Sequence, residues 1–254
     1  MRFLVLIFLC FASIYAVPTT TDRQKPQVQS MSDFDSEFAS SDKENKEEID
    51  PLSGYNRVMT NFNDYFYLNI LNPTAKAYKN IMPKPIRKGV ANIFDNLMFP
   101  LRFANNLLQF KIKYTFLETQ RFLLNSTIGI VGFFDVANDD FHIKEHDEDF
   151  GQTLGFYGIG SGFHIVLPIL GPSNVRDTAG IIVDGIANPM TYIQNRGYNL
   201  FDNNLESYGT KIFQIINYSS LHTGEYEKLK KDAVDLYPFL KNIYEQRRKK
   251  QISE

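Results

Sequence analysis

From Asp50 onward, apolar and aromatic residues recur at the spacing of an α-helix, and prolines cut that pattern into short lengths. Tyr55, Val58, Met59, Phe62, Phe66 and Ile70 fall on one such stripe. Asp50 followed by Pro51 suits an N-cap and first helical position ahead of it. Pro83 and Pro85 break the chain, and a second helix is expected from near Ile86. Pro100 interrupts the apolar pattern, which resumes after it. A third helix fits residues 113–126, with Phe116, Phe122, Leu123 and Leu124 on or near one face. Another is expected after Ser173 as cap, stopping before Pro189. Leu200, Leu205, Tyr208, Ile212, Ile215 and Ile216 mark the next, and a last helix runs from about Glu225 to Tyr244. Strict alternation is scarce, so the expectation is an all-α domain over residues 50–244, followed by a basic tail, 245–254, that frays. The stretches Ile93–Leu108 and Ile128–Phe134 are more apolar than a soluble bundle requires.

The N-terminal fifth has a different texture. Residues 1–16 join one arginine to an unbroken apolar run ending in small residues, the pattern of a secretory signal with cleavage after Ala16. The run is shorter than the roughly 20 residues of a membrane span. Cys10 follows bulky Phe8 and Leu9, which disfavours processing as a lipoprotein. Residues 17–49 form an acidic spacer. Nine acidic and four basic residues lie between Asp22 and Asp50, with few apolar groups to offset the entropy of ordering.

Composition excludes several classes. The chain has 27 basic and 29 acidic side chains, not the basic excess of a nucleic-acid binder. One cysteine forms neither an intramolecular disulfide framework nor a cysteine-cluster metal site. His142, Glu145 and His146 match the H-x-x-E-H spacing of a zinc hydrolase, which needs both imidazoles on one helical face. Their setting is a charge-dense connector, and a solvated loop is the plainer reading. Ser161 has Ile159 two places before it and Phe163 two places after it, where a nucleophile elbow needs glycines, and Gly158-Ile159-Gly160 leads to Phe163 where a dinucleotide fingerprint needs glycine. His164, in an apolar run, is expected to be a satisfied core residue. Arg176, Asp177 and Asp184 sit among apolar residues, where charge is costly unless paired or wet. They form a structural salt bridge or line a polar passage.

Six ordered blocks carry a family resemblance: DPLSGYNRVMTNFN, PKPIRKGVANIFDNL, FANNLLQ, RFLLNSTIGIVGFFDVA, EDFGQTLGFYGIGSGFHIVLPILGPSNVRDTAG and a later helix rich in Glu, Tyr and Lys. Over about residues 50–240 the chain resembles the MlaA (VacJ) family of outer-membrane phospholipid-transport proteins. The resemblance implies a ring-like, donut-shaped helical domain of kinked amphipathic helices around a polar channel, set in the inner leaflet of the outer membrane on its periplasmic side. It implies removal of mislocalised phospholipids from the outer leaflet, hand-over to a periplasmic MlaC-like carrier, association with a trimeric porin, and no catalysis, metal or cofactor. Arg176 and Asp177 match the family's Arg-Asp position, Asp184 a position often acidic, and Arg196 a further channel-lining candidate. Asn61, Phe62, Asn63 and Asp64 match a segment that looks able to gate the channel. The family's lipobox cysteine is missing, which motivates an alternative: a soluble periplasmic adaptor of the same transport system.

Overall fold

In the computed structural model, residues 50–189 and 204–254 are described. The signal (1–16), the spacer (17–49) and Arg196 lie outside them. The first helix, α1, spans Ser53–Phe66 and passes through a wider π-type turn, Tyr67–Leu71, into α2, Asn72–Ile81. Then come α3 (Lys84–Leu97), α4 (Phe99–Leu108) and α5 (Ile112–Thr127). A short α6 (Val136–Asp139) precedes α7 (Phe150–Phe156). After a hairpin come α8 (Val175–Ala187), α9 (Asn204–Leu221), α10 (Glu225–Lys231) and α11 (Leu236–Ser253). None of the described helices is long and apolar enough to cross a membrane.

The prolines act as starts. Pro73, Pro85 and Pro100 each occupy the first turn of their helix, where a missing N–H costs nothing. The mostly helical reading holds, with four local corrections. The Asp50 carboxylate is no cap: α1 begins after Leu52, and Asp50 instead accepts the Tyr237 hydroxyl across the fold. The cap of α8 is Asn174, whose side chain accepts from Asp177 N at 2.8 Å, and not Ser173. The segment expected as one helix from Glu225 divides into α10 and α11. The tail expected to fray is the second half of α11, and Arg248 within it is buried.

The glycine-rich block adds a small antiparallel hairpin. β1 (His164–Leu167) pairs with β2 (Gly171–Asn174), from His164 opposite Asn174 to Leu167 opposite Gly171. Four residues per strand are too few for alternation to stand out. The turn is made by Ile169 and Gly171, both at positive φ.

The apolar stripes face outward. In α1, Asn56 is 0% exposed while Val58 is 61% exposed, and Tyr55, Phe62 and, in the π-type turn, Ile70 are exposed as well. The buried residues of α4 are Arg102, Asn105 and Asn106; those of α5 are Thr115, Glu118, Arg121 and Asn125. In α8 they are Arg176, Asp177 and Gly180, while Ile181, Ile182 and Ile186 are exposed. Such a polar interior holds only if it is hydrogen-bonded. Asn56 shows how: its amide donates to His164 O at 3.0 Å and Tyr237 Oη at 3.1 Å, and its Oδ1 accepts from Val166 N at 2.8 Å. One side chain thereby ties α1 to the hairpin and to α11.

Candidate functional site

The buried charge falls into two groups. In the first, Arg248 of α11 meets Asp177 through Nε and Nη2, both at 2.9 Å, and Asp149 through Nη1 at 2.6 Å and Nη2 at 2.9 Å. Arg176 Nε adds a bond to Asp177 Oδ1 at 2.9 Å, and the Tyr244 hydroxyl donates to Oδ2 at 2.7 Å. Burial raises the carboxyl pKa of Asp177, but hydrogen bonds from Arg248 and Tyr244 outweigh it and hold the group below its ordinary value. Asp149 follows the same logic, with Arg248 as the main counterweight. The guanidinium of Arg248 is pushed up by these partners despite its burial.

Local sequence makes this convergence possible. Asp149 also caps α7 by accepting from Gln152 N at 2.8 Å. Helices α7 and α8 cross where Gly151 meets Gly180, and a Cβ on Gly180 would collide with the Gly151 backbone. This close approach brings Asp149 and Asp177 within reach of one guanidinium.

A cavity of about 260 Å³ opens beside the network. Asp149, Asp177, Arg248 and Tyr244 line it, and so do Asp147, Asp184 and Arg247. Asp184 accepts from Phe150 N at 2.9 Å and Asn105 Nδ2 at 3.4 Å, and burial raises its pKa. Burial also raises that of Asp147.

The second group lies between α4 and α5. Glu118, 0% exposed, accepts from Arg102 Nε at 2.8 Å and from His146 N at 2.8 Å. Arg102 also pairs with Glu145 at 2.9 Å, and Arg121 with Asp135 at 3.2 Å. Burial pushes the Glu145 carboxyl up to about 7, against the pull of Arg102. The zinc reading fails here. Residues 142–149 form no helix, Glu145 is committed to Arg102, and His146 stacks on Tyr114 with ring centroids 4.0 Å apart. Among the described residues no cluster of three metal-ligating side chains is present.

The other sequence candidates separate. Arg176 and Asp177 form a salt bridge, one of the two alternatives their sequence setting left open, and Asp177 and Asp184 line the cavity. Asn61 and Phe62 are exposed. Asn63 clasps the hairpin turn, donating to Leu167 O at 2.9 Å and accepting from Ile169 N at 2.7 Å. Asp64 accepts from Tyr226 Oη at 2.9 Å and Lys230 Nζ at 2.7 Å. His164 is a core residue, but not a satisfied one: both ring nitrogens lack hydrogen-bond partners, with Glu245 Oε1 3.4 Å away. The sequence reading missed Arg248, Asp149, Glu118, Arg102 and Arg121. Arg102, Glu118 and Arg121 carried a signal, as charged residues at helical spacing within apolar helices; Asp149, in a connector, and Arg248, in a basic tail, carried none.

The comparisons follow the same lines. A family model described as MlaA lipoprotein matches residues 48–251. The Intermembrane phospholipid transport system lipoprotein MlaA of Haemophilus influenzae is 38% identical over 145 residues, covering 56% of this chain and 58% of that protein. Its Escherichia coli K12 namesake is 37% identical, covering 58% and 60%. An uncharacterised Rickettsia prowazekii protein, RP093, is 36% identical, covering 61% and 62%. The chain thus spans about three fifths of the length of the curated relatives it matches. A solved structure from work on the "Structural basis for maintenance of bacterial outer membrane lipid asymmetry" superposes with a TM-score of 0.65 at 27% identity, covering 80% of this chain and 98% of that one. The blocks read from the sequence, the helical architecture and the extent of the family match agree: the chain belongs to the MlaA lipoprotein family.

Proposed function

We propose that this protein sits in the inner leaflet of an outer membrane and moves phospholipids from the outer leaflet toward a periplasmic carrier, keeping the membrane asymmetric. The observation that carries this reading is the inversion of polarity. Helices that bury Asn56, Glu118, Arg102 and Asp177 while exposing Val58, Ile182 and Ile186 are organised for hydrocarbon outside and water or polar lipid within. In water each exposed apolar Å² costs about 25 cal/mol; in a bilayer it costs little. The same inversion argues against the soluble adaptor. Helices too short to span lie within one leaflet, and their intrahelical hydrogen bonds satisfy the backbone between their ends.

In this reading the helices surround a polar passage. Arg176, Asp177, Asp184 and Arg196 line it, and the Asn61–Asp64 segment gates it through the hairpin that Asn63 holds. A trimeric porin and an MlaC-like carrier are the protein partners. The names of the Haemophilus influenzae and Escherichia coli relatives support the transport assignment. The test is a strain lacking this protein, assayed for phospholipid on the cell surface. Surface phospholipid should rise, return to normal with the wild-type chain, and stay high with Asp147→Lys in the cavity. No rise on deletion overturns the proposal.

A further inference from the structure

We infer that the cavity beside Arg248 is a head-group subsite selective for phospholipids carrying a primary ammonium, such as phosphatidylethanolamine, over anionic phospholipids. This rests on the transport reading above and deepens it.

The argument starts from which charges are already used. Arg248 is saturated by Asp149 and Asp177, with every bond at 2.9 Å or less. That pair of carboxylates is likewise engaged and offers little to a ligand. Two further carboxylates line the same cavity. Asp147 makes no side-chain hydrogen bond or ion pair among the described residues, and Asp184 accepts only from neutral N–H groups. Burial works against the ionised form of both, and a bound cation would relieve that cost.

The wall also holds a cation. Arg247 lines the cavity, is exposed, and forms no ion pair among the described residues. A guanidinium without an ion pair beside two carboxylates without a cationic partner matches a zwitterion: the lipid phosphate takes Arg247, and the ammonium takes Asp147 and the remaining lone pairs of Asp184. An anionic lipid has the phosphate but nothing for the carboxylates, and four acidic residues against two arginines repel it. The apolar rim supplies the rest. Ile181 lines the cavity, and Ile182 and Ile186 of the same helix are exposed apolar surface available to acyl chains.

The choice of ammonium follows too. Quaternary ammonium recognition relies on aromatic walls. Among the described residues Tyr244 is the one aromatic lining this cavity, and its hydroxyl is spent on Asp177. Carboxylates that accept N–H bonds favour the primary amine, so phosphatidylcholine should rank below phosphatidylethanolamine.

The experiment incubates the full chain in nonionic detergent with equimolar phosphatidylethanolamine and phosphatidylglycerol, repurifies it, and quantifies bound lipid by mass spectrometry. The expected result is an ethanolamine lipid enrichment of about fivefold, of the order a partly screened ion pair provides. Asp147→Asn should bring the ratio close to one by lowering the bound ethanolamine lipid, with bound phosphatidylglycerol not reduced. Its carboxylate takes part in no hydrogen bond or ion pair among the described residues, so folding is not at stake, as it is for Asp184→Asn, whose carboxylate holds Phe150 N and Asn105 Nδ2. Arg247→Gln should lower total lipid without changing the ratio. A recovered ratio equal to that of the micelles, or an enrichment untouched by Asp147→Asn, overturns this inference and leaves the transport reading standing. No lipid recovered at all overturns both. Displacement by an equal concentration of soluble phosphoethanolamine would assign the site to a free amine and overturn the lipid subsite.

Discussion

Arg248 in the last helix grips both carboxylate oxygens of Asp177, 71 residues earlier, at 2.9 Å each. Two parallel bonds fix the guanidinium plane, and Asp149 completes the arrangement from a third helix. Arg248→Ala leaves the buried Asp177 with only Arg176, Tyr244 and Asn174, removes the ion pair of the partly exposed Asp149, and should cost about 3 kcal/mol. Arg248→Lys should fall between, since an ammonium cannot reproduce the fork. Thermal melting in detergent reads both. A chain ending at Tyr244 should melt at least as early as Arg248→Ala.

Asn56 and Val58 are two residues apart on α1 and face opposite environments. Asn56→Leu leaves Val166 N and His164 O without partners and should cost about 2–5 kcal/mol. Val58→Asn should change stability in detergent by no more than about 0.5 kcal/mol. On membranes the order should differ: Val58→Asn weakens retention in a salt-wash fractionation. A soluble bundle would show the reverse pattern, with the apolar residue the costly one.

Gly180 marks the closest approach of α7 and α8. Gly180→Ala drives a methyl into the Gly151 backbone, which has no room to yield. The expected loss is about 1–3 kcal/mol, by melting. Gly185→Ala, on the same helix with open space where the methyl would go, should be neutral or slightly stabilising.

Glu145 titrates in the physiological range. Its folded carboxyl, at about 7, lies above the ordinary glutamate value of 4.5, so the folded chain binds the extra proton between those limits. Stability from this group is therefore present below about pH 4.5 and is lost as pH rises through 7. Neighbouring His146, its pKa lowered by burial, works in the opposite sense. Glu145→Gln should flatten the fall in melting temperature between pH 5 and pH 8. An unchanged slope would mean that Glu145 is not the group responsible.

Helix positions were legible in the sequence, because 3.6-residue periodicity and the prolines are local signals. Phe116 and Leu123 marked α5, and Pro85 and Pro100 marked the starts of α3 and α4. The hairpin was not legible, since His164–Leu167 is too short for its alternation to rise above the glycine-rich background. Arg176 and Asp177 drew notice as charges in an apolar run, but their partner Arg248 lay in a tail that looked ready to fray.

The sequence by itself determined where the helices form and that each carries one apolar and one polar face. Only the tertiary structure decided which face turns inward. Periodicity records the contrast between two faces and not its sign, and the sign depends on what surrounds the helix. Here Asn56, Glu118 and Asp177 find hydrogen-bond and ionic partners across long stretches of chain, and those partners make a polar interior stable.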